Sequence, residues 1–301
     1  MHPPSGTQHR LSSGDQAVTV VEVGGGLRTY TAGGVDVLAG YGEDEMASGG
    51  RGQHLVPWPN RIRDGRYSFA GADLQLALTE PTRHNANHGL VRWANWAATV
   101  EEPDRVVMEL VLHPQPGYPF TLGLAVEYRL GPRGLSVATT ATNIGDAPCP
   151  YGAGSHPYLT VGTDLVDEAW LQVPAETRLE SDDRGIPAGA VAVEGTAYDF
   201  RQARPVGDLV VDAAYTDLTA DEVVLAASDG GRRVTLWWDR SYRWVMIFTG
   251  DTLEPARRRR SLAVEPMTCA PNAFVTGDGL RVLEPAESWT ATWGIAAGER
   301  R

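Results

Sequence analysis

The chain has 301 residues, 38 acidic against 26 basic, for a formal net charge of −12, and every basic residue is arginine. The charge argues against a nucleic-acid surface or an anionic membrane as partner. The absence of lysine removes Schiff-base chemistry, a pyridoxal phosphate anchor and the lysine of a phosphate-binding P-loop.

The first fourteen residues, Met1 to Gly14, are polar and lack the apolar centre of a secretory signal, so they read as a flexible leader. From Ala17 onward, short apolar or alternating runs predict strands: Ala17 to Val23, Val35 to Leu38, Arg66 to Phe69, Leu74 to Leu78, Arg105 to Leu112, Leu122 to Leu130 and Leu135 to Ala141. The second half continues with Ala169 to Val173, Val223 to Ala227, Arg233 to Trp238, Trp244 to Thr249, Ser261 to Val264 and Trp289 to Ile295. Turn signals such as Asp64-Gly65, Gly131-Pro132 and Asp229-Gly230-Gly231 separate them. The 34 glycines and 20 prolines fit this punctuated pattern. No long amphipathic helix, linker or repeat interrupts it, so residues 15–301 are expected to form one all-β domain. No stretch approaches the ~18 apolar residues of a membrane span. Cys149 and Cys269 make no disulfide framework and no zinc-like spacing, which favours a reducing, cytoplasmic setting.

Four loops gather glycine or proline with ionisable and aromatic groups: Gly49 to Asp64, Pro81 to Trp96, Pro148 to Gly162 and Val264 to Thr276. Loops on a rigid scaffold are where sites are built. In them, His88 and His156 stand beside glycine, and His156 is followed by a proline that fixes the chain direction. Glu265 closes an apolar strand, where desolvation raises a carboxylate toward the range of a general base. Asn60 and Arg61 follow Trp58, a combination of planar donors and an indole that suits sugar hydroxyls and the C–H face of a pyranose. Each also has a structural reading: a histidine bonded to its own loop, a carboxylate accepting backbone N–H groups, a core tryptophan. Arg257 to Arg260 read as a solvated hairpin tip. A metal site of His88, His156 and Glu265 lacks the short ligand spacing that usually anchors one.

Taken in order, these segments resemble the aldose 1-epimerase (galactose mutarotase) family. The matching pieces are Pro59-Asn60-Arg61-Ile62, Asn87-His88-Gly89-Leu90-Val91-Arg92, Gly117-Tyr118-Pro119, Gly154-Ser155-His156-Pro157-Tyr158, Asp212-Ala213-Ala214-Tyr215, Phe248-Thr249-Gly250 and Glu265-Pro266-Met267-Thr268. The resemblance implies a β-sandwich with a sugar-binding cleft on a concave face, and an isomerase that interconverts the α and β anomers of a hexose by ring opening and closure. It implies Glu265 as the base at the C1 hydroxyl, His156 as the acid at the ring oxygen and His88 as the second histidine. Asn60, Arg61 and Asp212 then hold sugar hydroxyls. No metal, nucleotide or other cofactor is expected. The expected partner is a monosaccharide, with neither nucleic acid nor membrane, and a homodimer is left open.

Two positions depart from the family pattern. Met246 stands where many members carry a glutamine that touches the sugar. His156-Pro157 resembles bacterial branches that include sugar-phosphate and sulfo-sugar epimerases. The alternatives are therefore a 1-epimerase of an anionic hexose, with Arg51, Arg63, Arg83 and Arg92 as available cations, and a non-catalytic carbohydrate-binding protein.

Overall fold

The computed structural model describes residues 2–299. Its framework is two large sheets, and every strand pairing in them is antiparallel. The nine-stranded sheet runs in the order Ala97–Glu102, Arg105–Leu112, Leu122–Gly131, Gly134–Asn143, Ser288–Glu299, Arg232–Trp238, Glu222–Ala226, Trp170–Gln172, Arg204–Pro205. Its central hairpin shows why: Leu122, Leu124, Val126, Tyr128 and Leu130 alternate with polar or small residues, so one face is apolar. Across from them, Leu135, Val137 and Ala141 fall on the same face, in the register Tyr128↔Val137 and Leu124↔Ala141.

The second sheet has eight strands, with Pro187–Ala192, Ala175–Ser181, Asp212–Leu218, Trp244–Phe248, Leu262–Met267, Gly154–Ser155 and His54–Leu55 in order, and Tyr158–Leu159 beside Leu262–Met267. Val245, Ile247, Leu262 and Val264 join the main core together with Val126, Val137 and Ile295 of the facing sheet. Burying side chains of this size contributes roughly 1.5–3 kcal/mol each. The alternate residues of the same strands, Trp244, Met246 and Met267, form a separate apolar cluster on the opposite face with Ala214 of Asp212–Leu218. Glu265 belongs to that opposite face, level with Met246 across the strand pair. It lies inside the strand, not at its end as the sequence suggested.

The flexible leader expected over residues 1–14 is corrected for Gln8–Ser13. Gln8–Ser13 is a strand that pairs with Gln16–Val21 from Gln8↔Val21 to Ser13↔Gln16 in a four-stranded sheet. Leu11, only 2% exposed, anchors it in the core, and His9 Nδ1 lies 3.1 Å from Glu101 Oε2. One apolar residue among polar ones is too weak a pattern to announce an edge strand. The arginine run also differs from expectation. Arg258 and Arg260 face solvent, but Arg259 bonds Asp167 and Asp251, and Arg257 bonds Glu45 and the Gly40 carbonyl. No helix among the described residues is long and apolar enough to cross a membrane.

Candidate active site

A cleft of about 300 Å³ opens on the face of the eight-stranded sheet that carries Glu265. Asn60, Arg61, His88, His156, Asp212 and Glu265 all line it, so the six residues singled out in the sequence meet in one place. They arrive from five separate stretches of chain.

Asn60 and His88 are tied to one another. Both have positive φ, 56° and 61°, a conformation that asparagine and histidine adopt more readily than most residues. The His88 N–H donates to the Asn60 carbonyl at 2.9 Å, and the Asn60 N–H donates back to His88 Nδ1 at 3.2 Å. Gly89 completes the turn at φ 68°, and a Cβ there would fall 2.0 Å from the Val56 carbonyl oxygen. Because Nδ1 accepts a backbone hydrogen, the neutral His88 ring carries its own hydrogen on Nε2. His88 is thereby set as a hydrogen-bond donor. Burial lowers the His88 pKa well below the ordinary value, and the neighbouring His156 ring, Arg92 and Arg61 add to the fall, so the ring is held neutral.

Arg61 is held by Glu80 through a fork, Nε to Oε2 at 2.7 Å and Nη2 to Oε1 at 3.0 Å. Its main chain pairs with Asn87, so the same short ladder positions Arg61 and the approach to His88. Across the cleft, Asp212 begins its strand opposite Phe248. Its side chain remains open to the cleft, yet the surrounding protein desolvates it enough to raise its pKa against the pull of Arg61 and Arg83.

His156 and Glu265 form the centre. They are 5% and 3% exposed, and His156 Nε2 lies 3.2 Å from Glu265 Oε1. Burial raises the Glu265 carboxyl well above its ordinary value, with Asp212 adding to the rise, and burial lowers His156 to about 3, with Arg51 adding to the fall. Both shifts favour an uncharged pair holding one proton on the carboxyl. Glu265 Oε2 and His156 Nδ1 have no hydrogen-bond partner among the described residues. Orphaned buried polar atoms of this kind mark a place for a ligand or water. The His88 ring meets the His156 ring edge-on at 5.5 Å.

Donor atoms of His88, His156 and Glu265 lie within 4.8 Å of one another, the size of a metal-binding set. Coordination through His88 Nε2 would require that nitrogen to lose its hydrogen while Nδ1 still accepts one from Asn60. The donor set therefore suits proton exchange better than a divalent cation.

Of the three tryptophans in the candidate loops, Trp93, 52% exposed, lines the cleft together with Tyr158 and Phe248, whereas Trp58 and Trp96 are core residues and Trp58 packs edge-on against Phe274 at 5.4 Å. Glu80 and Asn87 line the cleft as well. Of the four arginines considered for an anion, Arg83 and Arg92 line it, while Arg51 lies behind the wall and Arg63 is paired with Asp182. Arg92 has one polar contact, the Asn87 carbonyl at 3.4 Å, and forms no ion pair among the described residues. Burial lowers its pKa. Nothing in the sequence separates Arg92 from Arg63, because the difference is made by Asp182, 119 positions from Arg63.

The model of the family described as aldose 1-epimerase matches residues 7–296. A protein of Escherichia coli K-12 named YihR, itself uncharacterized, is 36% identical over 284 residues, covering 93% of this chain and 90% of that one. Among solved structures, a GalM/aldose epimerase homologue from Caenorhabditis elegans superposes with a TM-score of 0.88 at 19% identity, covering 98% of this chain and 99% of that one. A galactose 1-epimerase from Lactobacillus acidophilus superposes with a TM-score of 0.82 at 19% identity, covering 95% and 92%.

Proposed function

The chain belongs to the aldose 1-epimerase family, and from that premise we propose that it interconverts the α and β anomers of a hexose, with Glu265 and His156 as the proton-exchanging pair. The observation that carries this reading is the buried 3.2 Å contact between Glu265 and His156 at the floor of a monosaccharide-sized cleft.

The resting, uncharged pair and the reactive ion pair differ only by one proton moved from Glu265 Oε1 to His156 Nε2. In the ion-pair form the Glu265 carboxylate takes the proton of the C1 hydroxyl as C1–O1 becomes a carbonyl. The C1–O5 bond breaks, and O5 takes the proton of the His156 imidazolium. The pair is then uncharged again and the sugar is an open-chain aldehyde. Rotation about C1–C2 presents the other carbonyl face. O5 attacks it and returns its proton to His156, and Glu265 returns its proton to O1. Protons balance over the cycle, so no cofactor is needed. His88 donates through Nε2–H to the oxygen that gains negative charge, and Asn60, Arg61 and Asp212 hold hydroxyl groups. Trp93 offers the aromatic face for the ring.

Polarimetry of freshly dissolved α-glucose or α-galactose tests the reading. Wild type is expected to speed the relaxation, and Glu265→Gln to lower kcat by about 10²–10⁴; a variant that relaxes the sugar as fast as wild type removes Glu265 from the role. Sugar affinity without any rate above background would favour the non-catalytic alternative.

Arg92 supports a second reading, in which the hexose carries an anion at C6. A cleft cation without a carboxylate partner is costly to keep unless a ligand supplies the charge. Anomer-exchange NMR with neutral and 6-phosphorylated or sulfonated hexoses decides between the two. Equal exchange of neutral and anionic sugars, unaltered in Arg92→Gln, would eliminate the anionic reading.

A further inference from the structure

Three side chains are stacked at one wall of the cleft, with His156 and Tyr158 lining it and Arg51 behind them. The His156 and Tyr158 rings lie nearly parallel, with centroids 5.0 Å apart and an interplanar angle of 19°. The Arg51 guanidinium lies over the Tyr158 ring, 4.0 Å from its centroid. Arg51 is 3% exposed and forms no ion pair among the described residues; Nη1 donates to the Ala39 carbonyl at 2.7 Å and Nε has no partner. Such a cation lowers stability through desolvation, and nothing in the proton cycle above uses it.

The backbone around Arg51 is shaped to the stack. Gly50 has φ 77°, and a Cβ on it would fall 2.5 Å from Cδ2 of His156. The Tyr158 hydroxyl donates to the Gly49 carbonyl at 2.7 Å. His156 N–H donates to the Gln53 carbonyl, and Gly52 N–H to the His156 carbonyl. The segment Gly49-Gly50-Arg51-Gly52 is thus laid against the His156 ring, with the arginine closing the far side of the tyrosine.

We propose that Arg51 is a positioning residue for the proton exchange: through the Tyr158 ring it fixes the plane of the His156 imidazole against Glu265, and its buried charge ensures that His156 takes a proton only from Glu265 and not from solvent. The inference rests on the mutarotase reading for its catalytic meaning, but its physical content is the protonation state of His156, which is measurable without sugar. The charged and titratable groups facing His156 are Glu265 from the central strand, His88 and Arg92 from the loop after Asn85–Asn87, and Arg51 and Tyr158 behind it. Arg61 and Asp212 face it across the cleft. Arg51 and Arg92 both oppose an imidazolium, and Arg51 does so the more strongly. An imidazolium formed against that opposition is a stronger acid toward a weakly basic ring oxygen.

Arg51→Gln removes the charge, and Arg51→Lys keeps it while losing the planar stack. In the sugar-free protein, histidine ring 15N and 13C shifts, with His156 assigned through His156→Gln, are expected to show His156 titrating about one pH unit higher in Arg51→Gln, the size of effect a cation one ring away exerts in a protein interior. Arg51→Lys is expected to keep the wild-type behaviour. The acid limb of kcat/KM follows the same order, while KM changes little. Arg51→Gln also unfolds at the same or a higher urea concentration than wild type, because an unpaired buried cation is removed. A His156 that stays as neutral in Arg51→Gln as in wild type, down to the pH at which each unfolds, overturns the inference. Should the shift appear in a protein that never accelerates anomer exchange, the mutarotase reading fails while the control of His156 by Arg51 stands.

Discussion

Arg61 shows how a single side chain in this cleft is held by another that the sequence does not bring near it. Its fork is filled by Glu80 at 2.7 and 3.0 Å, 19 positions away, leaving the remaining N–H groups directed by a fixed guanidinium plane. Lysine presents one point charge and cannot reproduce that geometry. Arg61→Lys is therefore expected to lower kcat/KM at least about tenfold, with an unchanged melting transition. Equal kcat/KM would show that the fork does not orient the sugar. The residue types that line the cleft were readable from the chain: a histidine between Ser155 and Pro157, a glutamate closing an apolar run and an Asn-Arg pair are unusual in context. Arg92 and Arg51 were not separable from Arg63 and Arg83, because what sets the two pairs apart is the carboxylates that Asp182 and Glu80 bring to Arg63 and Arg83 in space.

Among the elements, the strand Leu262–Met267 does most to define the site. All six residues are buried, so period-two alternation is hidden from any hydropathy pattern, and the strand looks like a uniform apolar run with one carboxylate. Only the structure shows that Leu262 and Val264 face the core while Glu265 faces the cleft. Val264→Ala is accordingly expected to cost about 2 kcal/mol in urea unfolding while leaving KM unaltered. A raised KM with undiminished stability would place Val264 on the other face. Strands with clear alternation, such as Leu122–Gly131, were found nearly to the residue. Those missed, including Leu27–Ala32, Ala97–Glu102 and Ala175–Ser181, are short or largely polar, and long-range pairing holds them in place where local pattern does not.

The molecule as a whole carries three histidines folded in the neutral state, and this fixes its response to acid. His54 bonds the Tyr128 hydroxyl at 2.6 Å, and that hydroxyl donates to the Gly25 carbonyl, so His54 supplies the hydrogen from Nε2 and its Nδ1 accepts from Ser155. Burial lowers His54 to about 4 and His156 to about 3, and lowers His88 as well. Below about pH 6.5 the unfolded chain binds protons at these positions and the folded one does not, so each contributes stability that falls with falling pH. Glu265, raised by burial, acts in the opposite sense: the folded state holds its proton above about pH 4.5, where the unfolded chain has lost it. Three imidazoles act in the first sense and Glu265 in the second, so the sum over these four groups is stability that falls as the pH drops below about 6.5. Urea midpoints measured from pH 7 to pH 4.5 are expected to fall steeply, and a flat profile would show that these rings are not held neutral. The sequence could not give this, since His54 stands among polar and turn residues and its burial is made by strands that pair far along the chain.

The central claim is that Glu265 and His156 work as one proton-exchanging unit, and a double-mutant cycle on anomer exchange measures this directly. Glu265→Gln and His156→Gln are each expected to reduce kcat by about 10²–10⁴, and the double variant by no more than the worse of the two. Losses that multiply in the double variant, or a single variant that keeps the wild-type rate, would contradict the account.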